Sequence, residues 1–384
     1  MERPLASAVA IIFANLKGNL GDLALLQAAL LHVAREAPES ELHVWSHGFL
    51  TTDTVRFEAF LKGGPPAFSL IGETAPKFLK KLVKAAIRNG LGPAIHGPLI
   101  RFIAGRYDPT AKRFSDYHRI YVVGGDQFDH VAVAPMFGTI SAIARYNPRL
   151  SCMPVSINPR MLRSVTPSQL KEYLALFDSP VIARDMATHT FLNEHRIQSE
   201  LGADAALTLN SAIQGIKENH DHSDKIILSL AAPSGQVVDL LKSSIKSLHD
   251  QGYEVAAHTT CPPGDRKTLN ALHAALELPV HEPLTWQEVV ANLKSARIVV
   301  SNRLHSLLLA GMAGATVLPV GNRAKTAAFI DETQVGTYAN GLTEITPENI
   351  FKALETSDLQ RQRVQSYIQQ GLERLSTVGW REEY

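Results

Sequence analysis

At 384 residues, with 45% hydrophobic and 20% charged side chains, the chain holds enough apolar material for two cores and too much of it for a disordered protein. Thirty-eight Lys and Arg against 37 Asp and Glu leave a formal charge of +1, which gives no global reason to expect a nucleic-acid partner. Only Cys152 and Cys261 are present, far apart and without the spacing of a zinc site or a disulfide framework, as suits a reducing compartment.

In chain order, "PLASAVAIIFA" comes first. Its only preceding cation is Arg3 and it runs straight into a Gly-Asn-Leu-Gly-Asp turn, so it reads as a buried strand rather than a signal-peptide core. No uninterrupted apolar run reaches the ~18 residues of a membrane-spanning helix, and the chain is expected to be soluble and cytoplasmic. Further short apolar runs bounded by Gly, Pro, Asn or Asp follow: "LHVWSH", "RIYVVGG", "SCMPVSI", "SPVIARD", then "KIILSLAA", "YEVAAHTT", "RIVVSN" and "ATVLPVG". Longer helical patterns separate them, and that alternation predicts an α/β protein with parallel sheets built from βαβ units. The polar stretch "QGIKENHDHSDK" interrupts the series. The expected division is therefore a domain over 1–213, a linker over 214–224, a second domain over 225–360 and a helical tail over 361–384.

Open α/β sheets bind ligands beyond the carboxyl ends of their strands, so the residues after each apolar run are the candidates. In "NLKGNLGDLALLQAAL", Gly18 and Gly21 permit a tight turn, and Asn19 and Asp22 can hydrogen-bond either the start of the next helix or a ligand. The G-x-G-x-x-G spacing of a dinucleotide site is absent. "IYVVGGDQFDH" ends a strand in Gly124 and Gly125, which allow a close approach to the backbone, followed by Asp126. In "PVIARDMATHTFL", Asp185 is placed to cap a helix, and Arg184 serves either an ion pair or an anion site.

The last candidate is "SNRLHSLLLAGMAG". Ser301 to His305 occupy a strand-to-helix turn, where free backbone N–H groups and the helix dipole favour an anion. Arg303 adds a planar fork for carboxylate or phosphate, and His305 exchanges a proton most easily near neutral pH. A core histidine beside a surface arginine is the plainer alternative. Lys325, after the next strand, is in reach of the same crevice.

One feature lies elsewhere. Between Glu73 and Asp108 there is no acidic residue, while Lys77, Lys80, Lys81, Lys84, Arg88, Arg101 and Arg106 all fall in that window. Residues 76–89 form an amphipathic pattern that fits an anionic membrane surface, a polyanionic acceptor, or an ordinary solvated face over a core stripe.

Taken together, Gly18-Asn19-Leu20-Gly21-Asp22, Gly124-Gly125-Asp126, Arg184-Asp185, "GADAALTL" at 202–209, and Ser301 to His305 followed by Lys325 resemble, in that order, the motifs of the polysaccharide pyruvyl transferase family. The resemblance implies a GT-B-like architecture, two Rossmann-like domains facing across a cleft, with the acceptor on the N-terminal side and the donor on the C-terminal side. It implies transfer of the pyruvyl group of phosphoenolpyruvate onto two hydroxyls of a sugar, free or lipid-linked, to form a pyruvate ketal with release of phosphate. His305 and Arg303 are then the expected catalytic residues, and Arg184, Arg303, Lys325 and Ser301 the donor-binding ones. Asn19, Gly21, Asp22, Gly124, Gly125 and Asp126 are the expected acceptor-binding residues. No cofactor, metal or nucleic acid is expected, and contact with the inner face of the membrane through 76–89 would suit a lipid-linked acceptor.

Three departures accompany the resemblance. Gly-Gly-Asp stands where a third glycine is frequent, Asn302 where an apolar residue is common, and "GNRAK" lacks the tyrosine often found shortly before the lysine. The nearest alternative is a GT-B glycosyltransferase using a nucleotide sugar, although "LPVGNRAKTAAF" offers no well-placed acid for a ribose. A catalytically silent scaffold of a glycan-assembly complex is the alternative from another class.

Overall fold

The computed structural model describes residues 8–14, 16, 18–47, 54–73, 92–123, 133–217, 224–231, 235–321, 323–339 and 341–380. The first half holds strands β1 (Val9–Ile12), β2 (Leu42–His47), β3 (Ser69–Glu73), β4 (Arg119–Val122) and β5 (Leu150–Cys152), followed by the short β6 (Val181–Ala183) and β7 (Ser199–Leu201). The second half holds β8 (Lys225–Ser229), β9 (Glu254–His258), β10 (Val280–His281), β11 (Ile298–Ser301) and β12 (Thr316–Pro319). Strands such as β1 and β11 are apolar and buried along their whole length, as a parallel strand covered on both faces must be.

The first sheet runs β3-β2-β1-β4-β5 and the second β10-β9-β8-β11-β12, every pairing parallel. The two orders are the same, so each half is a Rossmann-like body whose strand order reverses at its centre, between β1 and β4 in one and between β8 and β11 in the other. The α/β architecture expected from the alternating pattern is therefore present, twice over. Sequence patterning misses β3, β7 and β10. β3 and β10 are edge strands, half-buried or exposed at Ser69–Ile71 and at Val280–His281, and β7 is a three-residue partner of β6, so none carries a continuous apolar run.

The halves are joined by apolar packing. Helix Leu20–Glu36 contributes Leu23, Leu26 and Leu30 to the same buried cluster as Val289, Val290 and Leu293 of helix Trp286–Lys294. At the head of the first helix, the Leu20 N–H donates to the Thr260 carbonyl at 2.7 Å. The chain then returns to its starting half. Helix Ser357–Thr377 packs on β12 and on the turn Ala205–Leu209, and Trp380 stacks on His32 with ring centroids 3.9 Å apart.

The expected linker, 214–224, is described only in part, and the basic stretch 76–89 lies outside the described residues. Among the described residues, no helix is long and apolar enough to cross a membrane.

Candidate functional site

Strand β11 delivers its last residue, Ser301, fully buried. The Ser301 hydroxyl donates to the Ser229 carbonyl at the end of β8 (2.8 Å) and accepts from the Arg303 N–H (2.9 Å). Asn302, placed where an apolar residue is common, closes the same turn from the other side. Its carboxamide accepts from the Ala231 N–H at 2.8 Å and donates to the Ala231 carbonyl at 3.2 Å. Ser301 and Asn302 thus clamp the switch-point turn, and the side chains they hold in place are the next ones.

Helix Leu304–Met312 starts directly after, with Arg303 as its N-cap residue and no side-chain cap on its first N–H groups. Those donors and the positive end of the dipole lie at the Arg303–His305 turn. The Arg303 guanidinium pairs with Asp265, a buried acid in the first turn of helix Pro262–Leu276 that also accepts from the Thr259 hydroxyl at 2.7 Å. The Arg303 Nε has no partner among the described residues, and the side chain is 20% exposed. Lys325, half-buried, sits in the first turn of helix Ala324–Thr333 beyond β12. Asp265 escapes sequence reasoning although the signal exists: "TTCPPGD" follows an apolar strand as the other candidates do. Next to it, burial pushes the Cys261 thiol up, which keeps it protonated and a poor nucleophile.

From the first half, Gly18 adopts a left-handed conformation (φ +79°), which turns the chain into helix Leu20–Glu36. Asn19 caps that helix by accepting from the Gly21 N–H at 3.1 Å, and its amide donates to Asp22 at 2.8 Å. Gly21 is where the halves touch. A Cβ built on it would lie 2.3 Å from the His305 Nδ1, so the imidazole rests on a backbone that only glycine leaves open. Gly124, Gly125 and Asp126 lie outside the described residues; they follow β4, the strand beside β1 at the first switch point.

Arg184, expected to meet the donor, lies deeper than that. Its side chain is 2% exposed, donates from Nε to the Ser156 hydroxyl and from Nη1 to Asp204 at 3.0 Å. Asp185 caps helix Met186–Glu194 through the Thr188 N–H at 2.7 Å and accepts from the same Ser156 hydroxyl. Asp204, from "GADAALTL", is the residue that carries Arg184 toward the cleft. Its Oδ2 lies 3.7 Å from the His305 Nε2. Burial pushes the Asp204 carboxyl up, but Arg184, His305 and the Ala206 N–H together outweigh it and hold the group well below the usual carboxylate range.

The structure therefore brings Asn19, Gly21, Asp22, Arg303 and His305 to one place. Ser301 is spent on the turn, and Arg184 stands behind Asp204. Arg303, braced by Asp265, an uncapped helix N-terminus and a histidine meet there, an arrangement suited to holding a small anion and passing it a proton.

The family model described as polysaccharide pyruvyl transferase matches residues 19–323. No curated protein matches the chain. Among solved structures, the chain is similar to a UDP-GlcNAc 2-epimerase from Neisseria meningitidis bound to UDP-GlcNAc, with 11% identity, a TM-score of 0.60, 96% of this chain and 100% of that chain covered. A putative UDP-N-acetylglucosamine 2-epimerase from Listeria monocytogenes gives 11% identity and a TM-score of 0.61 over 93% of this chain and 90% of that one. The N-terminal domain of trehalose-6-phosphate phosphatase from Candida albicans gives 11% identity and 0.56 over 97% and 95%. At such identities the likeness shows the fold alone, a GT-B-like pairing of two Rossmann-like bodies.

Proposed function

Because the chain belongs to the polysaccharide pyruvyl transferase family, we propose that it moves the pyruvyl group of phosphoenolpyruvate onto two hydroxyls of a sugar in a surface polysaccharide or its precursor. The observation that carries this reading is the seating of Arg303 and His305 at an uncapped helix N-terminus, against Gly21 of the opposite half. Phosphoenolpyruvate has a carboxylate and a phosphate, and Arg303, Lys325 and the N–H groups of helix Leu304–Met312 suit two anionic groups on one small molecule.

Protonated His305 gives its proton to the terminal vinyl carbon, which becomes a methyl group and leaves an oxocarbenium-like centre at C2. One sugar hydroxyl attacks that centre. The C–O bond to phosphate then breaks, and the second hydroxyl closes the ketal. Of the two hydroxyl protons, one restores His305 and the other leaves with phosphate, so the reaction is balanced without an oxidant or a cofactor. In this reading Asp22, which accepts from the Asn19 amide, takes a hydroxyl proton on the acceptor side. Gly124, Gly125 and Asp126 belong to the same acceptor reading by their position after β4.

The test is phosphate release from phosphoenolpyruvate against a panel of free and lipid-linked sugars, with wild type and His305→Ala side by side. Release that needs one acceptor and collapses in the variant supports the reading. Thermal stabilisation by a nucleotide sugar but not by phosphoenolpyruvate would replace it with glycosyl transfer.

A further inference from the structure

The segment "GADAALTL" contributes a residue to which the reaction above assigns nothing. Asp204 is the N-cap of the 3-10 turn Ala205–Leu209, with a side chain that is 2% exposed. Both of its oxygens are engaged: Oδ1 accepts from the Ala206 N–H at 3.0 Å, and Oδ2 accepts from Arg184 at 3.0 Å while facing the His305 Nε2 at 3.7 Å. Arg184 is itself fixed, because Ser156 accepts from its Nε and donates to Asp185. A buried carboxylate held in this way is rigid and stays ionised at neutral pH. It belongs to the first half of the chain and points at the histidine of the second.

We propose that Asp204 is a positioning residue for His305: its carboxylate fixes the ring through Nε2 and stabilises the imidazolium, while Arg184 sets how much of that negative charge the ring feels. Nε2 then faces the carboxylate, and Nδ1 is the nitrogen packed on the Gly21 backbone. This assignment rests on the pyruvyl-transfer reading only for the destination of the imidazolium proton.

The charges around the ring come from several elements. Asp204 and Arg184 lie on one side, Asp22 flanks Gly21 on helix Leu20–Glu36, and Arg303 precedes the ring on its own turn. Behind Asp204, helix Ser357–Thr377 brings Tyr367, whose hydroxyl is pushed up, mainly by burial and further by Glu332, Asp204 and Asp185, and so stays neutral. Among the described residues, Asp204 is the acid within ion-pair distance of the ring, and Arg184 the cation bonded to that acid.

The experiment is a titration of the His305 ring by NMR in protein labelled with 15N-histidine, the resonance assigned by its loss in His305→Gln. Wild type is compared with Asp204→Asn and Arg184→Gln, each checked for a cooperative thermal transition. The midpoint falls by about one pH unit or more in Asp204→Asn, because the anion is gone, and rises in Arg184→Gln, because the anion is no longer offset. Opposite signs are what a merely structural pair would not produce, and either folded variant decides alone. In parallel, Asp204→Asn lowers the kcat of phosphate release about 10- to 100-fold with little change in the KM for phosphoenolpyruvate. Unmoved midpoints, or midpoints that move in the same direction, overturn the assignment. Midpoints that move as expected in a protein that releases no phosphate from phosphoenolpyruvate support the Asp204–His305 pair and overturn the choice of donor.

Discussion

The two sheets share one strand order, yet the ends they turn toward each other differ in chemistry. The second half offers Arg303, paired with Asp265, and His305 on a turn sealed by Ser301 and Asn302 against β8, with Lys325 on the helix after β12. Opposite them, the first half offers Asn19, Asp22 and Asp204, and its buried cation, Arg184, is neutralised by Asp204. Identical topology therefore fixed where the sites lie and left open what each does. In the proposed reaction the anionic donor belongs to the cationic half and the hydroxyl groups to the half that carries carboxylates and a carboxamide.

The sharpest way to break this division is to remove the cationic side. His305→Gln or Arg303→Ala should lower acceptor-dependent phosphate release about 10²- to 10⁴-fold with the thermal transition retained; activity within tenfold of wild type would sink the assignment. The first half can be made to fail through the second. In Gly21→Ala the new methyl must displace the His305 ring, given the 2.3 Å approach, so kcat falls about 10- to 100-fold and stability drops by about 1–3 kcal/mol. Gly21→Ala combined with His305→Ala should recover most of that stability, since the ring is no longer there to be displaced. A double variant as unstable as the sum of the singles would place the strain elsewhere.

A gentler probe stays within the second half. Asp265→Asn keeps the shape but loosens the pairing of Arg303, raising the KM for phosphoenolpyruvate about tenfold with kcat nearly unchanged. Loss of kcat instead would assign Arg303 to the chemical step more than to holding the donor.

The smallest effect concerns stability. His258 on β9 is fully buried, and that burial, with His281 and Lys225 adding to it, lowers its pKa to about 3. The unfolded chain binds this proton first, near the ordinary histidine value of about 6.5, so the folded state loses stability as pH falls from there toward 3. Urea unfolding at pH 7 and pH 5 should show His258→Leu losing about 2 kcal/mol less than wild type over that interval. Equal losses would mean that the ring has another way to take up the proton. Asp204 has the same sign in a lower window: its pKa is depressed, so its contribution is complete above the ordinary value of 3.8 and is lost progressively as pH falls from there toward the depressed value.

Much of this was readable along the chain. The apolar runs that became β1, β4, β8, β11 and β12 are local signals, as are the cap residues Asn19 and Asp185 and the strand-to-helix turn at 301–305. Edge strands β3 and β10 were not, because half-buried strands carry mixed residues. Asp265 and Asp204 were not singled out either. Both are caps or first-turn acids in sequence, and such residues usually do no more than close a helix.

What the sequence determined by itself was the α/β class, the ends of the strands where ligands belong, and the kinds of groups available there, because periodicity and capping act over a few residues. Tertiary structure decided the rest. That Gly21 carries the His305 ring, that Arg184 is buried behind Asp204, and that Asp265 braces Arg303 all depend on how elements distant in the chain dock. No local pattern encodes such pairings, since each is set by packing of the apolar cluster that joins the two halves.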